Sequence, residues 1–172
     1  AVAYLHEGLQ VTVMDLVTLM IIFSDNTATN ILIDLIGMDE INKEIRSMGF
    51  KDTWLRRKMF DAEKSRLGIQ NLITAGETGA FFRKLYEETL VDAASSRRML
   101  AILKDQQLNG KIPFYLKALS EEPDIAHKTG EDTGITHDAG IVYGKEPFIV
   151  CFCGNETDTP RFERLMAEVS LE

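Results

Sequence analysis

Two triplets in this sequence carry the side chains best suited to chemistry. Ser24-Asp25-Asn26 places a hydroxyl, a carboxylate and an amide at the break between two helical patterns. Lys128-Thr129-Gly130 places an ammonium, a hydroxyl and a residue without a side chain at the end of a strand pattern. A hydroxyl both donates and accepts, as a proton shuttle must, whereas an ammonium only donates and suits an anion. Glycine lets another molecule lie close against the backbone. Each triplet also has a plain structural reading, the first as a helix cap and the second as an exposed strand end. The other titratable residues read as structural. His6 suits the surface, and His127 on its strand suits packing or a structural bond. His137 and Asp138 are adjacent on a strand and point to opposite faces. Cys151 and Cys153 share a face, too close in sequence for a useful cross-link, and read as small buried hydrophobes. No metal-ligand spacing occurs, so neither zinc nor another cofactor is expected.

The elements that must position the triplets are mostly helical. Thr12 and Asp15 form a capping box, followed by an apolar stripe of Leu16, Leu19, Met20 and Phe23. After the Ser24 triplet a second helix is expected to bury Ile31, Leu32, Leu35 and Ile36 and to stop at Gly37. A third helix covers about 38–48. Residues 51–71 are rich in charge and poor in apolar period, which predicts a long ordered loop with at most a short turn of helix. Such loops are uncommon and often functional. Helices follow after Thr74, using Phe81, Phe82 and Leu85, and over 92–104. Strands are predicted at 125–129, 139–143 and 148–153, the last two joined by a turn at 144–147. Thr159 as cap and Pro160 at the first helical position begin a closing helix with a stripe of Phe162, Leu165, Met166 and Val169. Helices, then strands and a helix, give an α+β class. The division is a mainly helical part at 1–120 and a sheet with its helix at 121–170. Leu171-Glu172 reads as a tag remnant. Three strands make a thin sheet, so partner strands are expected outside this chain.

Taken together, in this order and context, the triplets resemble those of the penicillin-recognising serine hydrolases, and most closely the class A β-lactamases. That superfamily is marked by Ser-x-x-Lys, Ser-Asp-Asn and Lys-Thr-Gly. The likeness runs from about Thr12 to the closing helix, through Asn71-Leu72-Ile73-Thr74 and His127 to Val142. It implies a β-lactamase/transpeptidase-like fold, a helical subdomain plus an antiparallel sheet flanked by helices. It also implies hydrolysis of a β-lactam through an acyl-serine intermediate, which requires a nucleophile, a proton carrier and an oxyanion hole. By resemblance, Ser24 passes a proton to the leaving nitrogen. Asn26 holds the substrate amide and orients the nucleophile's lysine, and Asp25 is an inward anchor. Lys128 and Thr129 meet the substrate carboxylate, Gly130 gives clearance, and the N–H of Glu131 is half of the oxyanion hole. Both triplets are then expected to converge on one cleft.

Two departures qualify the resemblance. No serine is followed by lysine three positions on, and only 23 residues precede Ser24. The expectation is a C-terminal fragment whose nucleophile helix lies upstream and which is inactive alone. The class A glutamate that activates the deacylating water falls near Lys58 or Met59, and neither is a general base. Asp61 and Glu63 are the nearby candidates, each with a competing reading as a solvated loop charge. A penicillin-binding sensor, a degenerate non-hydrolytic relative, a D-alanyl-D-alanine peptidase or an esterase therefore remain alternatives.

Composition narrows the partners. In 172 residues, 45% apolar and 27% charged, a real core is attainable and general disorder is excluded. Nineteen Lys and Arg against 27 Asp and Glu give a net charge of −8, which argues against nucleic acid and anionic lipid as partners. No apolar run approaches a membrane span. The expected partner is a β-lactam or peptidoglycan-like small molecule. Self-association, or pairing with the missing N-terminal segment, is expected from an open sheet edge. The resemblance suggests an exported protein.

Overall fold

Thr12 begins the first long helix as its sequence dictates. Its hydroxyl accepts from the Asp15 amide at 3.1 Å, while the Asp15 carboxylate accepts from the Thr12 amide at 2.8 Å. These bonds pair donors that a first helical turn leaves open. In the computed structural model, which describes residues 1–172, this helix is α1 (Val13–Ile22). The chain divides into two compact units, 1–77 and 78–172.

In the first unit, α2 (Asn26–Ile36) follows the bend at Ser24, and α3 (Met38–Ser47) follows Gly37. Gly37 joins them at φ +89°, a conformation that a β-carbon disfavours. Leu16, Ala28 and Leu32 form a small core, with Val2, Val17, Leu19 and Met20 packed against it. The buried face of α2 differs from the expected one. Ala28, Leu32 and Ile33 are inside, while Ile31, Leu35 and Ile36 are 40%, 63% and 54% exposed. With apolar residues at 31, 32, 33, 35 and 36, the helix offers two overlapping stripes, and the Ala28–Leu16 packing selects one.

Residues 51–71 form the expected ordered loop, with one short helix, α4 (Ala62–Arg66), and a bridge between Trp54 and Leu72. Three asparagines fasten it. Asn30 exchanges two hydrogen bonds with the Met59 backbone, at 2.9 and 3.0 Å, and Asn42 does the same with Leu55, at 2.9 and 2.8 Å. Asn71 accepts from the amides of Arg56 and Arg57 and donates to the Arg57 carbonyl. Glu77 ties the loop's start by accepting from the amides of Lys51, Asp52 and Thr53 and from the Thr53 hydroxyl. Desolvation raises the Glu77 carboxyl, but these bonds together outweigh it and hold the group down at about 2. A folded pKa below the unfolded one gives stability that is present above about 4.5 and lost as pH falls toward 2. Amide exchange at 51–53 is therefore expected to stay protected at pH 5 and to accelerate below pH 3. Glu77→Gln should abolish that dependence, and unchanged protection at pH 2 would contradict the assignment.

The second unit contains most of α5 (Ala75–Tyr86), α6 (Ala93–Lys104), α7 (Pro113–Leu116), three strands and α8 (Thr159–Val169). Strands β1 (Asp124–Asp132), β2 (Ile135–Tyr143) and β3 (Phe148–Asn155) form an antiparallel sheet in sequence order. β1 and β2 extend beyond the expected ends, because Thr133-Gly134 closes a tight turn with Gly134 at φ +68°. That turn keeps the polar run 131–138 in register. Ile112, Leu116, Ile125 and Val142 make the core on one side, with Val150 and Phe152 against it. The cap of α8 is Asp158, accepting from the Arg161 amide, rather than Thr159. Of its stripe Met166 is buried, whereas Leu165 and Val169 are nearly half exposed. No helix is long and apolar enough to cross a membrane.

Candidate active site

Ser24 lies between the end of α1 and the cap of α2, half-buried, at φ +52°. The left-handed region is uncommon for a residue with a side chain and costs on the order of 1 kcal/mol. What holds it there is the next residue. Asp25 is buried, and its carboxylate accepts from the Ala28 amide at 2.8 Å and the Val2 amide at 2.9 Å, capping α2 as an inward anchor. The Asp25 amide in turn donates to Leu19 at the end of α1. Asn26 is the first residue of α2 and is half-buried.

The loop candidates occupy separate roles. Asp61 caps α4 by accepting from the Lys64 amide at 3.0 Å, and Glu63 is exposed in the same turn. Lys58 pairs with Asp34, and Met59 is held through its backbone by Asn30.

In the second unit the register places Lys128 opposite Ala139, Thr129 opposite Asp138, Gly130 opposite His137 and Glu131 opposite Thr136. Alternation sets Lys128 and Gly130 on one face, with His137 and, from β3, Cys151 and Cys153. Thr129 lies on the other face with His127 and Asp138 and is only 6% exposed. The Lys128 ammonium donates to the Thr129 carbonyl at 2.6 Å. Burial lowers its pKa to about 8, a change that Lys111 reinforces and the charges of Asp138 and Glu131 oppose. A β-carbon on Gly130 would meet the His137 ring at 3.3 Å, so the face is narrow there.

His137 and Asp138 do point to opposite faces. Asp138 is fully buried, accepts from the Ile112 amide at 3.1 Å and faces His127 Nδ1 at 2.9 Å. His127 reaches Asn109 through its other nitrogen. His137 Nδ1 accepts from the Gly154 amide, and burial lowers its pKa. Burial also pushes the Cys151 thiol up to about 11, so it is a poor nucleophile. No three His, Cys, Asp or Glu side chains converge as a ligand set for a metal.

Sequence reasoning missed Lys111. Its side chain is 4% exposed, and its ammonium meets Glu131 at 3.0 Å, the His137 carbonyl at 3.2 Å, the Gly130 carbonyl at 3.4 Å and Glu163 at 3.7 Å. In a turn marked by Asn109-Gly110 and Pro113, a lysine reads as solvated. The available signal was its place beside Ile112 and Pro113, both of which are buried.

The family profile Beta-lactamase2, the beta-lactamase enzyme family, matches residues 1–172. The β-lactamase from Sphaerobacter thermophilus DSM 20745 superposes at TM-score 0.84 with 34% identity, over 98% of this chain and 63% of its own. PBP-A superposes at TM-score 0.84 with 25% identity, over 99% of this chain and 63% of its own. A PBP-A mutant has been solved as an acyl-enzyme complex with penicillin G. A β-lactamase from Chitinophaga pinensis DSM 2588 shares the fold at TM-score 0.80 with 20% identity, over 96% and 65% of the two chains. The chain thus spans less than two thirds of the length of these relatives. No curated protein matches it.

Proposed function

The chain belongs to the β-lactamase enzyme family, and from that premise we propose that the full-length protein is a serine hydrolase that opens the β-lactam ring through an acyl-serine intermediate. The observation that carries the reading is Ser24, held at φ +52° by a buried, capping Asp25 in a Ser-Asp-Asn bend. Backbone strain kept in place by its surroundings marks a position where the side chain's aim matters. The Lys-Thr-Gly triplet supports the same reading, since burial pushes the Lys128 ammonium down to about 8.

The nucleophile belongs to a Ser-x-x-Lys segment outside these residues, so this chain alone does not turn over substrate. The serine oxygen attacks the ring carbonyl, forming a C–O bond and breaking the C–N bond. The serine proton reaches the leaving nitrogen through the Ser24 hydroxyl. Asn26 holds the substrate's side-chain amide, and the Lys128 ammonium attracts its carboxylate. Gly130 gives clearance, and the Glu131 N–H donates to the oxyanion. Water then cleaves the ester and restores the serine.

A second reading is favoured by one observation. Lys58 is committed to Asp34, Met59 has no ionisable group, and Asp61 is spent on its helix cap. Without a base to activate water, an adduct outlives its formation, and the protein acts as a penicillin-binding sensor or a peptidase. Asp61 and Glu63 remain the base candidates of the first reading. Intact-mass spectrometry of the full-length protein with penicillin G, together with nitrocefin turnover, separates these outcomes. An adduct with steady hydrolysis supports the hydrolase. A lasting adduct without hydrolysis supports the second reading. No adduct at all overturns both.

A further inference from the structure

Lys111 is a buried cation with no part in the reaction as written above. Withdrawing an ammonium from water costs several kcal/mol unless partners surround it. Here the partners are the Glu131 and Glu163 carboxylates and the paired carbonyls of Gly130 and His137. Lysine is an unusual choice for a site that methionine could fill by volume alone.

The bond to Gly130 has a particular consequence. The Gly130 carbonyl and the Glu131 N–H belong to one peptide unit, and in a trans peptide they point in opposite directions. No cis peptide occurs in this chain. An ammonium on the carbonyl end draws electron density along the amide, which makes the N–H at the far end a stronger donor. Its bond to His137 fixes the same rung from the neighbouring strand, since Gly130 and His137 are paired. We propose that Lys111 is a positioning residue, which grips the Gly130 carbonyl and thereby aims and strengthens the Glu131 N–H as the oxyanion donor. The inference rests on the acyl-serine reading above. It adds a residue outside both triplets, one that acts through the Gly130–Glu131 peptide.

The test uses the full-length protein and penicillin G. Removing a whole oxyanion donor slows such reactions by about 100- to 1000-fold. Weakening one donor by Lys111→Met is expected to slow acylation by roughly 10-fold. The loss should fall on the acylation rate constant, with substrate affinity unchanged. In the infrared spectrum of the adduct, the ester carbonyl band should move to higher frequency, as expected for a weaker hydrogen bond. If Lys111→Met does not fold, Lys111→Met with Glu163→Gln removes the buried charge and its partner's charge together, with the same expected outcome. Glutamine still accepts from the Thr136 hydroxyl, which now bonds Glu163. A variant that melts earlier yet acylates at the wild-type rate, with an unmoved carbonyl band, overturns the inference and leaves the acyl-serine reading standing. A wild-type protein that forms no adduct overturns the reading and the inference with it.

Discussion

Lys128→Met in the full-length protein is expected to lower kcat/KM for penicillin G by about 100-fold, the scale set by removing a preorganised charged or oxyanion donor. The pH profile gives the claim a sharper form. With a pKa of about 8, Lys128 is charged below that pH and neutral above it. Activity that depends on the ammonium is therefore full below pH 8 and declines through it. Lys128→Arg keeps its charge across this range, so its profile should lose the alkaline limb even where its rate is lower. Unfolding by this group does not imitate the effect. The folded pKa lies below the ordinary 10.5, so between pH 8 and 10.5 the unfolded chain binds more protons. The burial penalty is full below 8 and is relieved as pH rises, so this group's stability contribution increases while activity falls. Steady-state kinetics from pH 6 to 10 decide the matter. A Lys128→Met variant within threefold of wild type would refute the role.

Gly140→Ala is expected to destabilise the sheet by about 3 kcal/mol or more, at the upper end of overpacking costs. An added β-carbon would lie 2.5 Å from the Ala126 carbonyl oxygen and from His127 Cβ, and 2.8 Å from His127 Cα. Two of these atoms are backbone in the paired strand, so neither can swing aside as a side-chain tip would. Domains are stable by only about 5–15 kcal/mol, so much of the margin disappears. Gly144→Ala is the control, since nothing lies within 4 Å of its β-carbon position and its φ is ordinary. Urea titrations of both variants should show a large loss for the first and little change for the second. Equal midpoints would mean that the Gly140–His127 pairing is wrong.

Much of the local structure was legible because single residues decide it. Thr12 and Asp15 announce a helix start wherever they occur at this spacing before an apolar stripe. The turn at 144–147 separates two strands whose apolar runs are continuous. The buried face of α2 was not legible, because its apolar residues cover two faces and only the contact of Ala28 with its neighbours chooses between them. The cap of α8 was ambiguous for a similar reason, since Asp158 and Thr159 are both competent and the turn geometry picks the first. At the site, the two triplets were visible as residue types. The strain at Ser24, the depressed pKa of Lys128 and the burial of Lys111 were not. Two of them arise from atoms distant in sequence: the Val2 amide on Asp25 at the bend, and the carbonyls of 130 and 137 for the buried lysine.

The clasps of Asn30, Asn42 and Asn71 on the loop at 51–71 carry a last consequence. A carboxamide gives and receives a hydrogen bond at once, and it bears no charge at any pH a protein survives. Brine that weakens the nearby pairing of Lys58 with Asp34 leaves these three fasteners untouched. The segment is therefore built to keep one shape in dilute and in saline surroundings alike, and the medium reaches it chiefly through Glu77 at its threshold.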